Sequence, residues 1–178
     1  METIQVKDKV FSIFIPATEI EAVVTEMAER INRDYEGKKP LFLAVLNGSF
    51  VFAADLLRKI NIPCNISFVK FSSYQGTSTT SKVKELIGLN EEIRGRHIIL
   101  VEDIVDTGIT IDLLLQDLTK HEPADVKIAC FCHKPDAFEK SYKIDYIGVN
   151  IPNKFIVGYG LDYDGYGRNL PDIYQLVN

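Results

Sequence analysis

Residues 98–110, IILVEDIVDTGIT, leave this chain few ways to fold. The first four are apolar and mostly β-branched, the composition of a strand buried on both faces. Glu102 and Asp103 then arrive together, and Asp106 stands at the start of a turn. Thr107, Gly108, Ile109 and Thr110 supply a permissive glycine between hydroxyls, and Ile111, Leu114, Leu115 and Leu118 recur at helical spacing. A strand, a glycine turn and a helix start make an anion site, because unpaired N–H groups and the helix dipole converge there. Acids beside such a site suit a ligand with a phosphate at one end and hydroxyls, a cation or a metal at the other.

Two other readings of the stretch are weaker. Glu102, Asp103 and Asp106 could simply solvate a strand end, but charged residues are seldom buried without partners. The Val-Asp-Thr-Gly run also resembles the signature of aspartic proteases, where two copies face each other in an all-β fold. Here a leucine-rich helical stretch follows at once, and no second Asp-Thr-Gly exists.

Residues 101–110 resemble instead the phosphoribosyl-diphosphate signature of the type I phosphoribosyltransferases, and more narrowly their hypoxanthine(-guanine) branch. The similarity runs from about Leu41 to the chain end. It implies an α/β fold: a twisted, mainly parallel sheet flanked by helices, with a small hood subdomain and a flexible lid. A single domain over residues 1–178 is expected.

The composition agrees. At 178 residues the chain can bury a full core, and 46% hydrophobic with 25% charged residues is ordinary for a globular protein. A net charge of −5 argues against non-specific nucleic-acid binding, although a local field can still hold an anionic substrate. Cys64, Cys130 and Cys132 are an odd count with no ligand set for zinc. Cys130 and Cys132, two apart, would share one strand face as reduced thiols. No signal peptide and no membrane-length apolar run is evident, so the expected setting is cytoplasmic, away from membranes.

Around the central stretch the chain reads as alternating elements. Residues 1–14 are a mixed, β-capable entry. Thr18 and Glu21 fit a capping box, and Ile20, Val23, Val24, Met27 and Ile31 define a helix ending near Gly37. Residues 40–46 read as a buried strand that stops at Asn47-Gly48-Ser49, with a helix over 50–60. Residues 64–71 form another strand. The hydroxyl-rich run over 72–84 reads as a solvated loop, because it cannot bury enough apolar surface to order itself. A returning strand over 86–89, strands over 126–132 and 144–149, and a helix ending near Pro123 complete the pattern.

The resemblance assigns roles to these positions. Glu102 and Asp103 would hold the ribose hydroxyls and a Mg2+ ion, directly or through water. A regular strand points neighbours to opposite sides, so the backbone must leave the pleated form if both are to serve one ribose. Thr107, Gly108, Ile109 and Thr110, with Asp106, would hold the 5-phosphate, and Asp106 would be the acid–base residue at purine N7. Asn47 and Gly48 would meet pyrophosphate through backbone amides, beside a strained peptide bond just before the glycine. Asn47 departs from the usual lysine, which removes a positive charge there. Arg168 would contact the same pyrophosphate. Ser73 and Tyr74 would belong to the lid over the reacting centre.

In the base pocket, Lys134 would donate to the purine 6-oxo group, since an ammonium has donors only. Phe155 would stack on the ring, Ile156 would meet its edge through the backbone, and Lys154 would lie nearby. Asp162, eight positions after Lys154, falls at the second magnesium position. The implied substrates are phosphoribosyl diphosphate with hypoxanthine or guanine, and the implied assembly is a homodimer or homotetramer. A regulator that binds the same sugar donor on the same fold is the alternative. It would lack a use for the full set of acid, lid and base-pocket residues.

Overall fold

The chain opens on a hairpin of β1 (Thr3–Val6) and β2 (Lys9–Ile15), with Val6 opposite Lys9 and Val6, Phe11 and Ile15 buried. The computed structural model describes residues 3–73, 83–89 and 91–177. α1 (Ala17–Asp34) buries Ile20, Val24, Met27, Ala28 and Ile31, the stripe their spacing predicts. The capping box at Thr18 and Glu21 is not formed. Pro16 occupies the N-cap without a side-chain cap, and Asp172 Oδ1 accepts the Ala17 N–H at 2.6 Å. That acceptor lies 155 residues away in sequence, so no local pattern could announce it.

The central layer comprises β3 (Leu41–Leu46), α2 (Phe50–Leu57), β4 (Asn65–Ser73), β5 (Val83–Ile87), β6 (His97–Val105), α3 (Ile109–Leu118), β7 (Asp125–His133) and β8 (Tyr146–Asn150). Its sheet has the order β5-β4-β3-β6-β7-β8, parallel throughout except for β5 at one edge. β3 and β6 lie in the middle, and Leu41 to Ala44 and Ile98 to Val101 are essentially inaccessible to solvent. Their unbroken apolar runs follow from that position, since helices cover both faces. Phe42, Ala44, Ile99 and Val101 join the cluster under α1 and α2, whereas Leu41, Leu43, Ile98 and Leu100 join the one under α3.

Two local expectations change. Ser72 pairs with Lys84 and Ser73 with Val83, so both ends of the hydroxyl-rich run are strand. Ladder hydrogen bonds to an edge strand satisfy the backbone there without an apolar side chain. The strand expected over 86–89 accordingly spans Val83–Ile87. Tyr74 and the rest of the lid segment lie outside the described residues. The second change concerns the cysteines: Cys130 packs in the α3-side cluster and Cys132 in the other. Along the β6–β7 ladder Glu102 stands opposite Cys130 and Ile104 opposite Cys132.

The hood is a second, antiparallel sheet of order β1-β2-β10-β9, formed with β9 (Ile156–Val157) and β10 (Ile173–Leu176). It joins the two ends of the chain, with Leu176 opposite Phe11. Among the described residues no helix is long and apolar enough to cross a membrane.

Candidate active site

The carboxyl ends of β3 and β6 lie side by side in the parallel sheet, where ligands of open α/β sheets bind. A cavity of about 340 Å³ opens there, lined by Gly48, Asp103, Ile104, Asp106, Lys134, Phe155, Ile156, Leu161, Asp162 and Arg168. Its volume is in the range that holds a small molecule. A smaller cavity of about 100 Å³ adjoins it, lined by Glu102 and residues 104–111. Ile104 and Asp106 belong to both walls.

The small cavity sits at the start of α3. Gly108 is the N-cap with φ +82°, a left-handed conformation that costs a side-chain-bearing residue energy. No side chain caps the first turn, which leaves its N–H groups available to an anion. Thr107, Ile109 and Thr110 are exposed around this opening.

The two consecutive acids divide between the cavities, Glu102 facing the small one and Asp103 the large one. They still interact. Burial, then the charge of Asp103, pushes the Glu102 carboxyl well above its usual range, and a hydrogen bond between the two raises Glu102 while lowering Asp103. Burial also raises Asp103, opposed by that hydrogen bond and by the Arg168 guanidinium. Asp103 is packed so tightly on Gly48 that a Cβ there would lie 1.8 Å from Oδ2, which only glycine permits.

Glu102 Oε2 is buried with no hydrogen-bond partner. An orphaned carboxylate oxygen beside a second buried acid fits a hard divalent cation, which would offset the negative charge that burial penalises. Among the described residues no group of three or more His, Cys, Asp or Glu side chains surrounds a common point. The fit is therefore to an ion that keeps waters and takes substrate oxygens, as Mg2+ does.

The pyrophosphate and base positions are distributed as follows. The Leu46–Asn47 peptide is cis, one bond upstream of the position immediately before Gly48. Asn47 is exposed and outside the cavity lining, while Gly48 is within it. Arg168 donates to the Gly160 carbonyl at 2.6 Å and pairs with Asp162 at 2.5 Å; the other Asp162 oxygen accepts the Gly165 N–H at 2.6 Å. Both oxygens of Asp162 are thus engaged inside the protein. Lys134 is buried and pairs with Asp106 at 2.9 Å, with Asn153 Oδ1 at 3.4 Å.

Phe155, 45% exposed, presents its ring to the cavity and is backed by Phe11 at 6.3 Å and Tyr163 at 5.8 Å between ring centroids. Tyr163 is in turn tethered, its hydroxyl donating to Asp8 at 3.0 Å. Lys154, expected in the base pocket, is exposed and does not line the cavity; its N–H is drawn to the Pro152 carbonyl at 2.7 Å in a tight turn. Ser73 ends β4, and Tyr74 lies outside the described residues. Sequence reasoning missed Ile104 and Leu161 in the wall, Asn153 beside Lys134, and the backing of Phe155 by Phe11 and Tyr163. These are ordinary apolar or polar residues whose roles arise only from packing.

The phosphoribosyl transferase domain model matches residues 16–164. Hypoxanthine-guanine phosphoribosyltransferase of Lactococcus lactis is 40% identical over 89% of this chain and 87% of its own. Hypoxanthine phosphoribosyltransferase of Escherichia coli is 38% identical over 93% and 94%. A crystal structure of a hypoxanthine-guanine phosphoribosyltransferase from Bacillus anthracis superposes with a TM-score of 0.88, at 39% identity over 96% of this chain and 99% of that one. On that agreement over most of its length, the chain belongs to the phosphoribosyltransferase family, in its hypoxanthine(-guanine) branch.

Proposed function

We propose that this protein serves purine salvage, moving ribose 5-phosphate from phosphoribosyl diphosphate to N9 of hypoxanthine or guanine and releasing pyrophosphate. The observation that carries the reading is the meeting of Gly48, Asp103, Asp106, Lys134, Phe155 and Arg168 around one cavity, although they come from four separate stretches of chain. The names of its relatives support the same assignment.

The Lys134–Asp106 pair explains how a 6-oxopurine is read. The purine edge carries O6 beside N7, and the two side chains are 2.9 Å apart. Lys134 has only donors and so accepts a carbonyl at position 6 but not an amino group, which makes adenine a poor substrate. Asp106 takes the N7 proton as N9 forms its bond to the anomeric carbon and the bond from that carbon to pyrophosphate breaks. Phe155 stacks on the ring, Ile156 meets its edge, and the Gly48 amide with Arg168 receives the leaving pyrophosphate.

The N–H groups at the start of α3, with the Thr107 and Thr110 hydroxyls, hold the 5-phosphate. Glu102 and Asp103 are the residues that would hold Mg2+ and the ribose hydroxyls. When bound, that ion neutralises charge on the diphosphate oxygens. Asp162, with both oxygens engaged, serves a second ion less directly and holds Arg168 in place. Ser73 and Tyr74 are assigned to the lid. The working form is a cytoplasmic homodimer or homotetramer.

One assay tests the reading: Mg2+, phosphoribosyl diphosphate and each of five nucleobases, with nucleotide formation followed by absorbance. Product with hypoxanthine or guanine and almost none with adenine, uracil or cytosine is expected. Tight binding of the sugar donor without any turnover would favour the regulator instead.

A further inference from the structure

The connection between β7 and β8 packs against the back of the phosphate loop. Tyr142 donates its hydroxyl to the Gly108 carbonyl at 2.7 Å, and the Glu139 N–H donates to the Thr107 carbonyl at 3.4 Å. Lys140 pairs with Asp112 in the first turn of α3 at 2.9 Å. Phe138 and Tyr142 meet edge-to-face at 5.2 Å between ring centroids. The segment approaches so closely that a Cβ on Gly108 would lie 2.6 Å from the Tyr142 oxygen and 2.7 Å from the Phe138 ring. None of these side chains lines either cavity of the site.

A trans peptide points its C=O and N–H in opposite directions. The only cis bond among the described residues is Leu46–Asn47, so the peptides on either side of Gly108 are trans. The Gly108 carbonyl also accepts the Asp112 N–H of α3 at 3.0 Å, so the strap and the helix hold it together; with the Thr107 carbonyl tied to the strap as well, the Gly108 and Ile109 N–H groups face away from the strap, on the side of the loop that lines the small cavity. Burial pushes the Tyr142 phenol above its ordinary value, which keeps it a donor.

We propose that Tyr142 is a positioning residue: through the Gly108 carbonyl it aims the loop N–H groups at the 5-phosphate of the sugar donor. The inference rests on the function proposed above for that loop. It also links two subsites, because Lys134 of the base pocket opens the same strap, its carbonyl accepting the Ala137 and Phe138 N–H groups at 3.1 Å.

The test replaces Tyr142→Phe, which keeps the ring and deletes one hydrogen bond. At the usual net worth of such a bond, KM for phosphoribosyl diphosphate should rise roughly three- to tenfold. The KM for purine and kcat at saturation should stay within about twofold. Calorimetric binding of ribose 5-phosphate to the ligand-free protein should weaken by the same factor, and Gly108 and Ile109 amides should exchange faster while the β6 core does not. Lys140→Met, which unpairs Asp112 without touching the Tyr142 ring, should move the same constants less. An unchanged donor KM overturns the proposal, as does a uniform loss of kcat and both KM values tracking a lower Tm. A wild type inactive with every base, whose ribose 5-phosphate binding still weakens in Tyr142→Phe, would sink the proposed activity and uphold the positioning role.

Discussion

The central sheet and the hood solve different problems with different means. In the central sheet the lining of the small cavity is local: β6 ends, the loop over residues 106–108 turns, α3 begins, and one stretch of chain supplies the wall. In the hood the contacts that set the base pocket are long-range. Phe155 needs Phe11 from the other end of the chain behind it, and Tyr163 reaches Asp8 across 155 residues. On the proposed function, sugar-phosphate recognition rests mainly on backbone and helix geometry, whereas base recognition is assembled by tertiary contacts. Mutations should therefore separate the two.

The largest effect should come from Asp106→Asn at the junction of the two cavities. An amide cannot take the N7 proton, so kcat should fall roughly 10²- to 10⁴-fold. Donor binding, measured by equilibrium dialysis, should change little. Equal turnover in mutant and wild type would remove the general-base role. Lys134→Met should come next, raising KM for hypoxanthine about 10- to 100-fold through loss of a charge-assisted hydrogen bond, with donor KM nearly constant. An unaltered hypoxanthine KM would take Lys134 out of the base pocket.

Phe11→Leu should perturb the hood alone, because Phe11 is buried and lines neither cavity. Loss of its aromatic contact behind Phe155 should raise purine KM about two- to tenfold and leave the donor KM alone. If both constants rose together, hood and sheet would not be separable.

The smallest effect is a pH dependence. Glu102 binds its proton more tightly in the folded chain than at its ordinary 4.5, first because it is buried and then because Asp103 is beside it. Between those two values the native state carries more protons than the unfolded one, so stability falls as pH rises through that window. Glu102→Gln cannot ionise. Without divalent ions its Tm should fall less than that of wild type from about pH 5 upward, and Mg2+ should narrow the gap by stabilising the wild type. Parallel Tm curves would mean that Glu102 is not the buried acid described here.

Much of this was legible before folding. The apolar run into Glu102, the turn at Asp106 and the helical spacing from Ile111 are periodic signals, and β6 and α3 appear where they point. The α1 stripe was equally plain, but its start was not, because the Ala17 N–H is satisfied by Asp172 instead of by Thr18. The ends of the hydroxyl-rich run became strand because an edge was available to pair with, a fact about neighbours and not about composition. Lys154 matched a pattern by position, yet the turn at Pro152 leaves it in solvent.

Local pattern was enough for the strand and helix order of the central layer, the anion-binding turn and most of the site's chemical inventory, because hydrophobic period and turn chemistry act over a few residues. Only the tertiary structure decided that Glu102 and Asp103 face different cavities, that Lys134 reaches Asp106, that Phe155 rests on Phe11, and that Tyr142 grips the Gly108 carbonyl. Those are contacts between distant stretches, set by how layers pack and where buried donors find acceptors, and no local spacing encodes them.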